Sequence, residues 1–394
     1  MERSEYIDLI NKNEKCNFVA FAITPWHALG ISATINKLVN NGNELNGYIF
    51  VYAYIQEKNS IQYCVNFDNF EIFNQKIQIV YTTFERENIL NKIKTIYSAS
   101  KYLLKNEANK KEFYVLSPST IDLKWIDILY QCNRKKRIIF IMFDEGIGST
   151  EFRTTHGMYV KRIAKYDGKE GILKKIKNYI LAMFEHFLNC VFEKALSGKR
   201  GLVNNQLLIE YKGKIVKNKA IVNNYIEVFQ KMNSYDANEY SDCLLLNPQP
   251  EIFGSEIESH EEELLFRLCS DIAVSNGAKV VIKPHPRDNN FNRFNNYGCY
   301  VESNKNVSQE ILISSLEKKP RCVVSLTSTT TFTLNLFYDI PSICLAKMVY
   351  KQMPSGSRKE SYRRFIDNFS DLIFMPNDID ELKTKLDNIF NEKE

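Results

Sequence analysis

Short apolar runs rich in β-branched residues alternate along the chain with longer stretches of helical periodicity. In the first half, the apolar runs lie at 18–23, 48–54, 77–81, 113–116 and 138–143. The stretches with helical spacing lie at 26–39, 87–104 and 121–132. Because a strand that is apolar on both faces is typical of a buried parallel sheet, this alternation predicts an α/β fold with a doubly wound sheet.

The same alternation starts again after a polar stretch at 233–242. Strand patterns at 243–246, 279–282 and 322–325 are interleaved with helix patterns at 261–275, 309–316 and 331–337. A chain of 394 residues is also longer than one hydrophobic core usually serves. We therefore predict two doubly wound, Rossmann-type domains, over 1–238 and 239–394, that face a central cleft.

The charge and cysteine content exclude several classes of protein. The 52 basic and 47 acidic residues give a net charge of +5, which is too balanced for a nucleic-acid-binding protein. The nine cysteines include no CxxC pair, which indicates reduced thiols and neither a zinc site nor a disulfide framework. Residues 1–6 are polar and acidic where an export signal would be basic and then apolar, so we expect a cytoplasmic protein.

The segment 172–196 is predicted to be one long amphipathic helix. Its apolar residues recur at helical spacing beside Lys174, Lys175 and Lys177, and further basic residues precede it from Lys161 onward. Two interpretations stay open: a helix packed in the core with a solvated basic face, or peripheral contact of 161–196 with anionic lipid at the inner face of the membrane. Glu185 and His186 in its middle argue against a spanning helix.

Two carboxylates and a glycine follow the strand pattern that ends at Phe143. They are Asp144, Glu145 and Gly146. In an open α/β sheet, ligands bind beyond the carboxyl ends of the strands, so a carboxylate there could remove a proton from an attacking hydroxyl. The alternative, a turn with solvated acids, is equally compatible with the spacing alone.

A second strand pattern runs directly into Lys283-Pro284-His285-Pro286. Two prolines fix the backbone on both sides of the histidine, which favours a functional over a structural role for His285. Lys283 and Arg287 add positive charge, so an anion such as phosphate is the expected ligand.

A third strand pattern is followed by hydroxyl residues over 327–331, at the start of a predicted helix. Unpaired backbone N–H groups and the helix dipole make such a terminus an anion site. N-capping accounts for one or two of these hydroxyls but not for five in succession.

Together these motifs resemble those of the bacterial sialyltransferases, a group that includes the lipooligosaccharide sialyltransferases and the capsular polysialyltransferases. Their signature is D/E-D/E-G, then HP, then a Ser/Thr pair. This chain has Asp144-Glu145-Gly146, His285-Pro286 and Ser328-Thr329 in that order. The resemblance implies a GT-B fold, CMP-sialic acid as donor, a glycan acceptor of the capsule or lipooligosaccharide type, and inversion at the anomeric carbon.

The resemblance also implies roles for individual residues. Asp144 would be the general base, on the acceptor side of the enzyme, and His285 would contact the departing phosphate. The other implied donor-side residues are Pro286, Lys283, Ser328 and Thr329 for the phosphate, Glu310 for the ribose, and Gln249 for the nucleotide. The implied acceptor or cleft loop contains Glu145, Gly146, Thr24, Pro25 and His27.

No metal or other cofactor is expected. The chain has one DxD sequence, Asp378-Ile379-Asp380, and its position after Pro376 and Asn377 is typical of a helix N-terminus. Two other enzyme classes stay open on the motifs: an HP-motif transferase that uses a CDP-glycerol or CMP-Kdo donor, and a GT-B-like nucleotide-sugar epimerase. A scaffold bound to membrane through its basic helix would leave the settings of His285 and Ser328 unexplained.

Overall fold

The computed structural model describes fifteen stretches of the chain. They are residues 15–22, 25–52, 54–57, 60–62, 76–82, 112–117, 137–143, 171–199, 202–211, 214–231, 237–249, 256–285, 294, 299–302 and 307–391. The predictions that concern Thr24, Asp144, Glu145, Gly146 and Pro286, and those for helices at 87–104 and 121–132, fall outside these residues.

The described residues belong to two compact units. The first lies within 1–155, 181–209 and 218–232, and the second within 156–180, 210–217 and 233–394. The units interleave along the sequence, whereas the sequence pattern predicts one boundary between residues 238 and 239. One long helix, which starts in the second unit and ends in the first, accounts for part of this interleaving.

The strands form two larger parallel sheets and two small two-stranded ones. In chain order the first eight strands are β1 Lys15–Ala22, β2 Glu44–Tyr52, β3 Tyr54–Glu57, β4 Ser60–Gln62, β5 Lys76–Thr82, β6 Glu112–Ser117, β7 Arg137–Phe143 and β8 Leu202–Asn205. The others are β9 Leu208–Tyr211, β10 Lys214–Lys217, β11 Cys243–Asn247, β12 Lys279–Ile282, β13 Tyr300–Val301, β14 Cys322–Ser325 and β15 Ser342–Cys344.

Nine helices are described, together with short 3₁₀ turns at Lys219–Ile221 and Asn238–Tyr240. The helices are α1 Pro25–Asn40, α2 Ile172–Lys199, α3 Val222–Lys231, α4 Glu256–Ser275, α5 Gln309–Ser314, α6 Thr329–Tyr338, α7 Ala346–Gln352, α8 Ser357–Phe369 and α9 Ile379–Asn391.

Both larger sheets have the strand order of a doubly wound fold. The first sheet is ordered β5-β2-β1-β6-β7-β8 and the second β13-β12-β11-β14-β15, and the neighbours in each pair are parallel. Counted along the chain, these are the orders 3-2-1-4-5-6 and 3-2-1-4-5. The predicted α/β class with two doubly wound parallel sheets is confirmed.

Helix α1 packs closely against the first sheet and is joined by polar side chains to α3. Its apolar residues Ile31 and Ile35 share a core with Phe18, Ile49 and Val51 of the strands. On its other side, the Asn36 amide donates to a Glu227 carboxylate oxygen at 2.7 Å and accepts from the Lys231 ammonium at 2.7 Å. These bonds fix the orientation of α1, whose first turn follows the carboxyl end of β1.

Gly30 lets α1 approach the last residue of β7. A Cβ atom added at Gly30 would lie 2.5 Å from Cδ2 and 2.9 Å from Cγ of Phe143. Because these atoms belong to a buried ring close to its backbone, the ring and the strand end would have to shift. The close packing of α1 against Phe143, the residue directly before Asp144, therefore requires a glycine at position 30.

We expect Gly30→Ala to lower the free energy of unfolding by about 1 to 2 kcal/mol, since overpacking outweighs the gain in helix propensity. Chemical denaturation measures the change. Gly171→Ala is the matched control, because a Cβ atom there would meet nothing within 4 Å. Equal stability of the Gly30 and Gly171 variants would contradict the packing described here.

Candidate functional site

In the second sheet, successive strands of the chain are added on one side of β11 as far as β13, and β14 and β15 are then added on its other side. The order of strands therefore reverses between β11 and β14. In open α/β sheets this switch point, at the carboxyl ends of the strands, is where ligands bind. Asn247 at the end of β11 is in register with Ser325 at the end of β14. Two loops follow these residues, and the side-chain amide of Gln249 in one donates to the Thr327 hydroxyl in the other at 3.0 Å. The structure thus joins the predicted Gln249 to the loop that carries Ser328.

The Gln249 loop is fixed by a buried carboxylate of α4. The backbone N–H of Gln249 donates to both carboxylate oxygens of Glu262, at 2.9 and 3.2 Å. Glu262 is only 3% exposed, so this bond is shielded from water. Sequence reasoning missed Glu262, because nothing in a helical acidic residue indicates that it faces inward.

Ser328 and Thr329 lie at the start of α6. Ser328 is the N-cap, and its hydroxyl accepts a hydrogen bond from the Thr330 N–H at 3.3 Å. Its own N–H donates to the Ser325 hydroxyl at 3.2 Å. The helix begins at Thr329, two residues before the predicted start, because Ser328 caps it there. The result is a helix N-terminus, with its positive dipole end, at the switch point.

Several hydroxyls of this loop and helix have partners within the protein. Buried Thr331 shares a hydrogen bond of 2.5 Å with Ser325, and Thr327 accepts the bond from Gln249. Capping alone does not explain the five successive hydroxyls, as predicted, but the remainder are not all left for an anion. Packing between β14 and α6 accounts for Thr331, and the link between the two loops accounts for Thr327.

Glu310 lies in the first turn of α5 and is 3% exposed. It accepts a hydrogen bond from the Thr333 hydroxyl of α6 at 2.5 Å, and the neighbouring Gln309 amide donates to Asn247 at 2.5 Å. Burial raises the pKa of the Glu310 carboxyl, and the Thr333 bond and the charge of Lys283 partly oppose this. These contacts hold α5 against the ends of β11 and α6, which brings Glu310 to the switch point.

Lys283 and His285 follow β12, the neighbour of β11. The N–H of Lys283 donates to the Leu246 carbonyl at 3.0 Å, which continues the ladder between β12 and β11 past the end of β12. Lys283 is 7% exposed and Pro284 is buried, whereas His285 is partly exposed. Beyond the end of β12, the chain therefore presents first the buried lysine, Lys283, and two residues later the partly exposed imidazole of His285.

In the first unit, the structure shows what surrounds Phe143 at the end of β7. His27 of α1 is 3% exposed and meets the Phe143 ring edge-on, with 6.1 Å between ring centroids. Burial lowers the pKa of His27 to about 4, so the imidazole is neutral at physiological pH. Pro25 is the first residue of α1, the position in a helix where proline fits best. Both predicted residues thus lie in the helix that packs beside Phe143.

The DxD sequence near the C-terminus is a helix cap, as predicted. Helix α9 begins at Ile379, and the Asp378 carboxylate accepts a hydrogen bond from the Glu381 N–H at 2.9 Å. Asp378 is therefore engaged as the N-cap of α9.

Comparison with solved structures returned similar chains of low sequence identity. The UDP-GlcNAc 2-epimerase of Methanocaldococcus jannaschii is 12% identical, with 96% of this chain and 93% of that chain covered and a TM-score of 0.48. A sialyltransferase from Photobacterium damsela is 10% identical, with 92% and 81% covered and a TM-score of 0.43. MurG of Acinetobacter baumannii is 10% identical, with 95% and 90% covered and a TM-score of 0.41. No match was found among curated protein sequences.

The family comparison is more specific. The family model described as alpha-2,8-polysialyltransferase matches residues 18–347, which include the D/E-D/E-G, HP and Ser/Thr motifs. The chain therefore belongs to the alpha-2,8-polysialyltransferase family and is a glycosyltransferase of the sialyltransferase kind.

Proposed function

We propose that this chain is an inverting GT-B sialyltransferase that transfers sialic acid from CMP-sialic acid to a hydroxyl of a capsule or lipooligosaccharide type glycan. The name of its family further suggests that the new linkage is α-2,8, to a sialic acid already present on the acceptor. The observation that carries the proposal is the convergence of Gln249, Ser328 and Glu310 at the switch point of the second sheet, within a chain of this family. The cysteine pattern of the chain is typical of reduced thiols, which favours a reaction in the cytoplasm.

On the donor side, the protein has to bind a nucleotide and stabilise a phosphate that gains charge as it departs. The N-terminus of α6 offers a positive dipole end to that phosphate, next to the hydroxyls of Ser328 and Thr329. His285 and Lys283 add positive or hydrogen-donating groups after β12, and Pro286 fixes the backbone that follows. Gln249 and Glu310 are assigned to the nucleoside, Glu310 to the ribose hydroxyls.

On the acceptor side, Asp144 is assigned as the general base. The acceptor hydroxyl oxygen forms a bond to the anomeric carbon as the bond from that carbon to the CMP phosphate breaks on the opposite face. The hydroxyl proton passes to the Asp144 carboxylate, and CMP leaves with the electron pair of the broken bond. Glu145, Gly146, Thr24 and Pro25 are assigned to the surrounding loop. Buried His27 supports it through Phe143.

Transfer is expected to continue at an unchanged rate in the presence of EDTA. The charge that a divalent cation would place on the leaving phosphate is assigned instead to Lys283, His285 and the α6 N-terminus. Initial rates before and after chelation measure this, with a metal-dependent transferase in the same buffer as the control. A loss of activity that magnesium or manganese restores would contradict the mechanism.

A thermal-shift panel of CMP, CDP, UDP and GDP tests the donor assignment. Ligands that bind the folded state raise its melting temperature, so CMP is expected to produce the largest shift. The largest shift with CDP would favour a CDP-glycerol transferase. Consumption of a UDP-sugar without any acceptor would favour an epimerase.

A further inference from the structure

Helix α2 exposes its apolar side. Ile172, Ile176, Ile180, Met183, Phe184 and Phe187 recur at spacings of one, three or four residues and therefore lie on one face of the helix. Each of these side chains is between 50% and 77% exposed. We call these six residues the outward face of α2. Contiguous apolar surface of this kind is uncommon on soluble proteins and marks an interaction site.

The opposite side of the same helix is polar or small and faces inward. Lys175, Asn178, Ala182 and His186 are also three or four residues apart, and they are the least exposed of the described side chains between 172 and 187. Ala182 is fully buried. From 172 to 187, the interpretation of this segment as a helix whose apolar side packs in the core is therefore wrong. Among the residues that the structure describes, none covers the apolar face of α2, and we infer that its partner is another molecule.

The charge beside this face favours one kind of partner. Lys174, Lys175 and Lys177 lie in the first two turns of α2, and no acidic residue occurs from Gly171 to Phe184. An apolar stripe with exposed lysines at one end, here Lys174 and Lys177, is complementary to the acyl chains and anionic headgroups of a membrane surface. A parallel pairing with a second copy would instead place these lysines next to one another.

We propose that the outward face of α2 docks on anionic lipid, with the helix axis in the plane of the membrane. Its apolar side chains enter the boundary between headgroups and acyl chains, and Lys174 and Lys177 remain among the headgroups. Among the residues that the structure describes, no helix is long and apolar enough to cross a membrane. Docking would bring the enzyme to a lipid-linked acceptor, but the proposal does not depend on the donor or on the reaction.

Co-sedimentation of the full chain with vesicles of phosphatidylcholine, with and without phosphatidylglycerol, tests this proposal. We expect binding to rise with phosphatidylglycerol and to fall with added salt. Lys174→Gln with Lys177→Gln should weaken binding by about 20-fold or more, at roughly fivefold for each charge. Ile176→Gln, Ile180→Gln and Phe184→Gln combined should reduce binding to vesicles of either composition by at least about tenfold.

The matched control combines Leu264→Gln and Val274→Gln, which alter exposed apolar residues of α4 that are 49% and 56% exposed. This variant should bind vesicles like the unmodified chain. Circular dichroism spectra and melting temperatures without ligand should be the same in all variants, which separates loss of docking from loss of folding. The proposal is overturned if the unmodified chain fails to bind anionic vesicles, or if the α2 variants bind as well as the control. A dimer in solution that the α2 glutamine variant dissociates, without vesicle binding, would identify a second copy as the partner.

Discussion

Asp144→Asn is expected to lower the turnover of sialyl transfer by about a hundredfold or more, with CMP affinity nearly unchanged. The substitution keeps the shape of the side chain but removes the carboxylate that would accept the proton of the attacking hydroxyl. An interaction made only in the transition state affects turnover and not ground-state binding. Steady-state kinetics with CMP-sialic acid, together with calorimetry of CMP binding, measure the two quantities on the same preparation.

The adjacent carboxylate provides the control for that variant. Glu145→Gln makes the same chemical change one residue later, and its effect on turnover should be much smaller. If Asp144→Asn abolished CMP binding, the division of roles between Asp144 and His285 would be wrong even with the family assignment intact. A larger loss of turnover in Glu145→Gln would transfer the role of base to Glu145.

His285→Ala is expected to weaken CMP binding and turnover together. The variant removes a positively charged or hydrogen-donating partner of the phosphate, which is worth about 1.5 to 3 kcal/mol for a hydrogen bond to a charged group. The dissociation constant of CMP should therefore rise by roughly 10- to 150-fold. Calorimetry with CMP and with cytidine measures the effect, because only the nucleotide carries the phosphate and cytidine binding should not change.

His260→Ala is the control for the loss of an imidazole. His260 lies on α4 in the same unit and is exposed, so its removal should change neither CMP binding nor turnover. Unchanged CMP affinity in His285→Ala would show that the phosphate binds elsewhere.

The sequence predicted the long buried strands of the two larger sheets more accurately than the short strands and the helices. Buried strands such as 243–247 and 322–325 are continuous apolar runs, and their predicted and observed bounds agree to within one residue. The pattern missed β8, β13 and β15, which have four, two and three residues, because so short a strand has little or no periodicity. It also missed α3, whose buried Asn224 and Tyr225 blur the contrast between polar and apolar positions.

Residues of the proposed donor site could be predicted where a single residue stands out in the sequence. They could not be predicted where the feature is a contact between two side chains that are distant in sequence. His285 stands out between two prolines, and Ser328 stands out before a helix. The bond from the Gln249 N–H to Glu262 and the one from Thr333 to Glu310 join α4 and α6 to neighbouring elements, and a single sequence does not reveal which side chains will meet. The direction of α2 stayed open for a related reason, since periodicity identifies an apolar face without showing whether that face is covered.

The most direct test of the proposed reaction is to incubate the chain with CMP-sialic acid and a sialic-acid-terminated oligosaccharide, and to follow CMP and glycan by chromatography and mass spectrometry. The proposal predicts that CMP appears in step with glycans lengthened by whole sialic acid residues, and that it requires the acceptor. Transfer from CMP-Kdo but not from CMP-sialic acid, or no lengthened glycan with either donor, would contradict the proposed function.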